Sequence, residues 1–145
     1  MYPEIMVMPM REELTRLGIQ ELRSAGEVDG AIPNQSGTAM VIVNSICGCA
    51  AGRMRPAIRI ALQNPNRPEK VFTVFAGQDA EATEQARKYF TGYMSSSPSI
   101  AMFRDGKLVH MLQRSDIEHR EAADIALELK TAFDKFCSKP VEVSS

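Results

Sequence analysis

The most uniformly apolar run in the chain is Thr38 to Asn44, TAMVIVN, with turn residues before it and a glycine-containing segment after it. A strand with no polar face is buried on both sides, which predicts a sheet covered by helices above and below. VFTVF, Val71 to Phe75, is a second strand of this kind. Ser99 to Phe103 is a third, and the turn Arg104-Asp105-Gly106-Lys107 returns it as a fourth from Leu108 to Met111. Between the strands the apolar spacing turns helical. Residues 9–17 carry Met10, Leu14 and Leu17 on one side, with Gly18 as a stop and Pro9 as first turn or kink. Ser24 and Glu27 fit a capping box for a short helix to Ile32, weakened by Gly26 and Gly30. Residues 50–63 place Met54, Ile58, Ala61 and Leu62 on one side and a kink at Pro56. Asp79 is the N-cap of a helix with Ala82, Ala86, Tyr89 and Phe90 inward and Gly92 at its close. A final helix, Asp116 to Phe136, has Ala122, Ile125, Ala126, Leu129, Ala132, Phe133 and Phe136 on one stripe.

Strand, helix, strand predicts a parallel pair joined by a right-handed crossover, and the Asp-Gly hairpin adds an antiparallel pair. The expected architecture is α/β: a mixed four-stranded sheet flanked by helices, with an N-terminal helical extension. At 145 residues, 44% hydrophobic and 24% charged, the chain suits a single globular domain over 1–145, with a polar tail over about 139–145. The net charge of −1 supplies no field to recruit nucleic acid or an anionic membrane, so neither is expected as a partner. The start, MYPEIMVMPMREEL, lacks the pattern of a signal peptide, and no apolar run approaches the roughly 18 residues of a membrane span. A cytoplasmic location is expected, where paired cysteines serve catalysis, redox sensing or metal binding more often than structure.

The candidate chemistry lies in VNSICGCAAG, where Cys47 and Cys49 flank Gly48 directly after the first strand. Spacing alone leaves four readings open: a metal clip, a redox pair, a nucleophile with a neighbour, or two buried thiols. Structural zinc takes four ligands at closed spacing, and His110, His119 and Cys137 show no such pairing, so no metal ligand is assigned. Cys137, beside Phe133 and Phe136, reads as a structural residue.

Two features together resemble the thioredoxin fold: cysteines in the turn from a buried strand to a helix, and a Ser97-Pro98 step entering the third strand and its hairpin. The segments VMPMREELT, VNSICGCAAGRMRPA, TVFAGQD, YFTGYMSSSPS and AFDKFC are similar to the bacilliredoxin family of CGC-motif thioredoxin-like proteins. That resemblance implies removal of bacillithiol from S-bacillithiolated clients by thiol–disulfide exchange, with protein disulfide isomerase activity as the alternative. It implies Cys47 as nucleophile and Cys49 as partner or resolving thiol, with Gly48, Ser45 and Asn44 in support. It further implies a cis Pro98 and a substrate-contacting loop of Ser97, Pro98 and Ser99. No bound cofactor is expected; bacillithiol is the thiol co-substrate, and the partners are bacillithiolated or disulfide-containing proteins and a low-molecular-weight thiol. A reading of another class is a non-enzymatic redox-sensing or metal-carrying module.

The residues supply a physical rationale beside the resemblance. The thiolate is the attacking form, and a cysteine at a helix N-terminus is favoured as an anion by free backbone N–H groups and the dipole; Arg53 and Arg55 add to this if they reach back. A disulfide closed across one residue makes a strained ring, easier to reduce than the CxxC arrangement, and Gly48 is expected to provide the backbone freedom. Unlike common thioredoxins, the chain has no tryptophan, and its first strand carries no acid or lysine to relay a proton.

Overall fold

The computed structural model describes residues 1–33 and 36–137. The polar tail expected over about 139–145 lies outside the described residues. The elements in chain order are α1 (Glu4–Thr15), β1 (Gln20–Glu21), α2 (Ala25–Ala31), β2 (Thr38–Asn44), a π-helical turn (Ala50–Met54) continuing into α3 (Arg55–Ala61), β3 (Lys70–Phe75), α4 (Ala80–Arg87), β4 (Ser99–Arg104), β5 (Lys107–Leu112), α5 (Arg114–Ile117) and α6 (Ala122–Phe136).

The sheet has five strands in the order β1-β3-β2-β4-β5. Four are those expected, and β1 is a two-residue edge strand, Gln20↔Phe72 and Glu21↔Thr73, too short and polar to show as a periodic run. β2 pairs parallel with β3 and antiparallel with β4, which pairs antiparallel with β5. The hairpin between β4 and β5 turns through Asp105 (φ 50°) and Gly106 (φ 79°), the two positive φ angles that a type I′ turn requires.

Every residue of β2 is buried, and its alternation sorts side chains between two cores. Met40 and Ile42 join Ile100 and Met102 on one face, against Leu14 of α1, Met54 and Ile58 of the π-turn and α3, Ile117 of α5, and Leu129 and Phe133 of α6. Val41 and Val43 join Phe72, Val74 and Phe103 on the other, against Val28 of α2 and Ala82 and Ala86 of α4. The register keeps these faces aligned, pairing Met40 with Met102 and Ile42 with Ile100. At roughly 1.5–3 kcal/mol per fully buried large aliphatic side chain, the central strands drive this assembly.

Three helices differ from the sequence expectation. α1 begins at Glu4 and carries Pro9 inside it. Its buried residues include Arg11, 5% exposed, whose guanidinium bonds Glu4 (2.6 Å), Glu21 (2.8 Å) and Asp79 (2.6 Å) and stacks 5.2 Å from the centre of the Phe75 ring. Burial alone would lower the Arg11 pKa, but hydrogen bonds to Asp79, Glu4 and Glu21 outweigh it and hold the charge. Asp79 precedes α4, yet its side chain makes no cap bond because Arg11 occupies it. In the helix after the cysteines, the Arg55 N–H bonds Ala50 O, a π-type bond placed just before Pro56, which has no N–H to give.

The single helix expected from Asp116 to Phe136 is two. α5 starts at Arg114, and its Asp116 carboxylate turns back to accept from Gln113 N at 2.9 Å. Arg120 then bridges the break, donating to Asp116 O, Asp124 O and the Glu128 carboxylate. Among the described residues, no helix is long and apolar enough to cross a membrane.

Candidate active site

The buried strand β2 ends at Asn44, and the chain turns at Ser45 and Ile46 before becoming helical. The Cys47 carbonyl accepts the first helical bonds, from Ala50 N (2.9 Å) and Ala51 N (3.2 Å), so Cys47 stands at the N-terminus of the run that leads into α3. Its thiol and that of Cys49 are half-buried, and their sulfur atoms lie 2.7 Å apart. This is closer than an ordinary thiol contact yet beyond the roughly 2.05 Å of a covalent bond, and all three cysteines are free thiols.

The two thiols are unequal. Cys47 lies below the usual thiol range: the Cys49 thiol donates to it, and the backbone N–H groups of Cys49 and Ala50 and the charge of Arg114 add to that against the opposing effect of burial. Cys49 is pushed up, first by burial and then by the hydrogen bond and negative charge it faces at Cys47. The two thiols titrate as a pair, and the single negative charge is favoured on Cys47.

The turn is held from beneath. Ser45 Oγ accepts from Cys47 N (3.2 Å), and Asn44 Oδ1 accepts from both Ser45 N (3.0 Å) and Arg55 Nη1 (2.9 Å). Arg55, 4% exposed, also donates to Ser45 O and pairs with Glu13 of α1, while Asn44 Nδ2 donates to Met10 O. Asn44 and Ser45 therefore fix the backbone of the cysteine turn, and α1 is tied to it twice. Gly48 takes no positive φ, and a Cβ there would meet nothing within 4 Å. The dithiol turn thus makes no steric demand for glycine; the backbone freedom expected of Gly48 concerns the tighter turn of a closed Cys47–Cys49 disulfide.

The cation acting on Cys47 is Arg114, which sequence reasoning missed. Neither arginine suggested by proximity plays that part: Arg53 turns away to Arg120 O (2.7 Å) and Glu121, and Arg55 lies under the turn. Arg114 opens α5, far along the chain, and reaches the site because its N–H bonds Ser96 Oγ (3.3 Å) and its Nη1 lies 3.5 Å from Ser97 O. No local motif signals this; only the packing of β5 beside β4 brings α5 to the cysteine end of the sheet.

The Ser97–Pro98 peptide is cis. Ser97 lines a cleft of about 340 Å³ with Cys47, Ser45, Arg87 and Arg114, whereas Pro98 and Ser99 are buried. Ser99 pairs with Val43 in the sheet, and its Oγ has no hydrogen-bond partner among the described residues. Cys137 is half-buried and hydrogen-bonded to Thr38, at the far end of β2, and burial raises its pKa. Seven strand residues separate the ends of β2 by about 20 Å, so Cys137 takes no part in the Cys47–Cys49 pair. His119 is exposed, and His110 pairs with Glu128. Among the described residues, no group of three or more His, Cys, Asp or Glu side chains is placed to hold a metal ion.

The fold that presents this cysteine pair has counterparts among known proteins. Thioredoxin O2 of Arabidopsis thaliana in its oxidised state superposes with a TM-score of 0.56 over 85% of this chain and 97% of its own, at 17% identity, a likeness of fold. The fold is thioredoxin-like. In sequence, a protein of Koribacter versatilis named bacilliredoxin is 61% identical over 137 residues, 94% of each chain. A bacilliredoxin of Staphylococcus epidermidis is 45% identical over 139 residues, covering 96% of this chain and 95% of its own. The disulphide isomerase family matches residues 2–137. The chain therefore belongs to the disulphide isomerase family, the family of the bacilliredoxins.

Proposed function

We propose that the protein is a cytoplasmic thiol–disulfide oxidoreductase that removes bacillithiol from S-bacillithiolated client proteins, with Cys47 as the attacking thiol. The observation that carries this is the inequality of the pair: at 2.7 Å separation, Cys47 is the thiol favoured as anion and Cys49 the thiol that keeps its proton and donates it as a hydrogen bond. The Cys47 thiolate attacks the bacillithiol sulfur of the mixed disulfide. A Cys47–bacillithiol bond forms, the client–bacillithiol bond breaks, and the client leaves as a thiolate that takes a proton from water. No net oxidation occurs in this step.

The adduct on Cys47 is resolved in one of two ways. A second small thiolate attacks the bacillithiol sulfur, releasing the symmetrical disulfide and restoring Cys47. Alternatively the Cys49 thiolate attacks the Cys47 sulfur, releasing bacillithiol and leaving a Cys47–Cys49 disulfide that a low-molecular-weight thiol must then reduce. The small, strained ring of a CxC disulfide favours the external route, since a strained disulfide is readily reduced. The asymmetry also supports a general isomerase, which would use the same first attack on a protein disulfide. Gly48, Ser45 and Asn44 support the turn in this reading, and Ser97 and Pro98 form the loop beside which the client segment lies, with the buried Ser99 anchoring it as the first residue of β4.

The test is to incubate a bacillithiolated client with the wild type, Cys47→Ala and Cys49→Ala, and to follow the intact masses of both proteins. The adduct should accumulate on Cys49→Ala and be absent from Cys47→Ala. Transfer that survives the loss of Cys47 would sink the assignment, and attack on protein disulfides with no preference for bacillithiol would favour the isomerase.

A further inference from the structure

The cleft beside Cys47 contains two arginines and no carboxylate among its lining residues. Both are anchored to the same loop: Arg87 Nη2 lies 3.3 Å from Ser96 O, and Arg114 bonds Ser96 Oγ and approaches Ser97 O. Their circumstances differ. Arg114 pairs through Nε with Glu118 at 2.9 Å, leaving the rest of its guanidinium toward the loop and the cysteines. Arg87 is half-buried, and no ion pair to it is present among the described residues. Its Nε is sealed from solvent without an acceptor, and the one carboxylate that acts on it at a distance is Glu84, three residues back on α4. A partly desolvated guanidinium without a carboxylate calls for an anion, because the cost of burying the charge is otherwise uncompensated.

Resting on the reading of Cys47 as the attacking thiol, we infer that Arg87 and Arg114 form a carboxylate subsite for the small-thiol half of the mixed disulfide. The subsite selects anionic low-molecular-weight thiols over neutral and cationic ones. Guanidinium groups suit this task because their planar donors meet a carboxylate in two parallel bonds. The volume of about 340 Å³ is within the range of a small-molecule site. Arg114 has a double part, since its charge also favours the Cys47 thiolate; Arg87 is not among the groups acting on that thiol, so its effect falls on selection.

The experiment uses three symmetrical disulfides that share an S–CH₂–CH₂ arm and end in a carboxylate, a hydroxyl or an ammonium group: 3,3′-dithiodipropionate, 2-hydroxyethyl disulfide and cystamine. Rates of adduct formation on Cys47 are read by mass in the Cys49→Ala protein, where the adduct cannot be resolved internally. The anionic-to-neutral rate ratio is compared with that of N-acetylcysteamine, a neutral thiol distinct from all three, attacking the same reagents, which cancels the intrinsic chemistry. The protein's ratio should exceed the reference by about tenfold, the size of one charge-assisted pair. It should fall toward the reference in Arg87→Gln, lie between in Arg87→Lys, and collapse as salt is raised. A ratio at or below the reference, or one that Arg87→Gln leaves unchanged in a protein shown to be folded by circular dichroism, overturns the inference. Should Arg87→Gln not fold, the salt series on the parent decides: a ratio indifferent to salt overturns it. Adduct from none of the three reagents would overturn the proposed function along with it, whereas adducts without charge preference remove only the subsite.

Discussion

At Cys47 the competing effects on one sulfur atom can be ranked. Burial opposes the thiolate, but the Cys49 thiol, the N–H groups at the start of the helix and Arg114 favour it more strongly, so the Cys47 pKa moves down. Its alkylation by iodoacetamide should therefore rise with pH through a midpoint below the ordinary thiol range and be flat above it. Deleting Arg114 by Arg114→Ala removes a favourable positive charge and should move the midpoint up; Cys49→Ala removes the leading contribution and should move it further. Unchanged midpoints in both variants would refute the ranking. The cysteines themselves are legible in sequence because CGCAAG is a local signal. Arg114 and Arg87 are not legible, since nothing about an arginine in a chain of 145 residues marks which one will meet a thiol folded from elsewhere.

Among the elements, α1 shows most clearly how a tertiary partner overrides local preference. The sequence predicts its C-terminal half from Met10, Leu14 and Leu17, but the helix also runs through Pro9 and buries a cation. Arg11 sits among Glu4, Glu21 and Asp79, joining α1 to β1 and to the start of α4. Replacing it with alanine would leave Asp79, whose side chain is 9% exposed, without its principal partner. Breaking a buried pair from one side costs about 3 kcal/mol. Urea unfolding of Arg11→Ala should show a loss of that order, and the double variant Arg11→Ala with Asp79→Ala should recover part of it. A loss below about 0.5 kcal/mol would class the cluster with ordinary surface pairs. The division of the last predicted helix into α5 and α6 belongs to this scale too. The apolar stripe is continuous enough to read as one helix, and Arg120 folding back on Asp116, Asp124 and Glu128 stabilises the break.

Over the whole molecule, the helical run that carries the cysteines and the helix α6 share one core. Cys49 packs against a cluster that includes Met54, Ile58, Leu129 and Phe133. Leu129→Ala removes a fully buried side chain from that cluster and should cost about 3 kcal/mol in denaturant unfolding. Because site and core are continuous, Cys47 reactivity and secondary structure should be lost at one shared denaturant concentration, lowered equally in the variant. Separate transitions would show that the cysteine turn is held independently of the core.

The sequence by itself determined four of the five strands and the β4–β5 hairpin, because β2, β3 and β4 are apolar enough to demand burial and the Asp-Gly turn dictates the hairpin; the edge strand β1 and the order of the strands in the sheet came from the tertiary structure. It also marked the candidate thiol pair, since the strand-to-helix turn and the cysteine spacing are properties of neighbouring residues. Only the tertiary structure decided the electrostatics of the site. The charge on Cys47 depends on α5, the rigidity of its turn on Arg55 and α1, and the cleft beside it on Arg87 of α4. Charge interactions act through space with no period along the chain, so hydrophobic patterning carries no record of them.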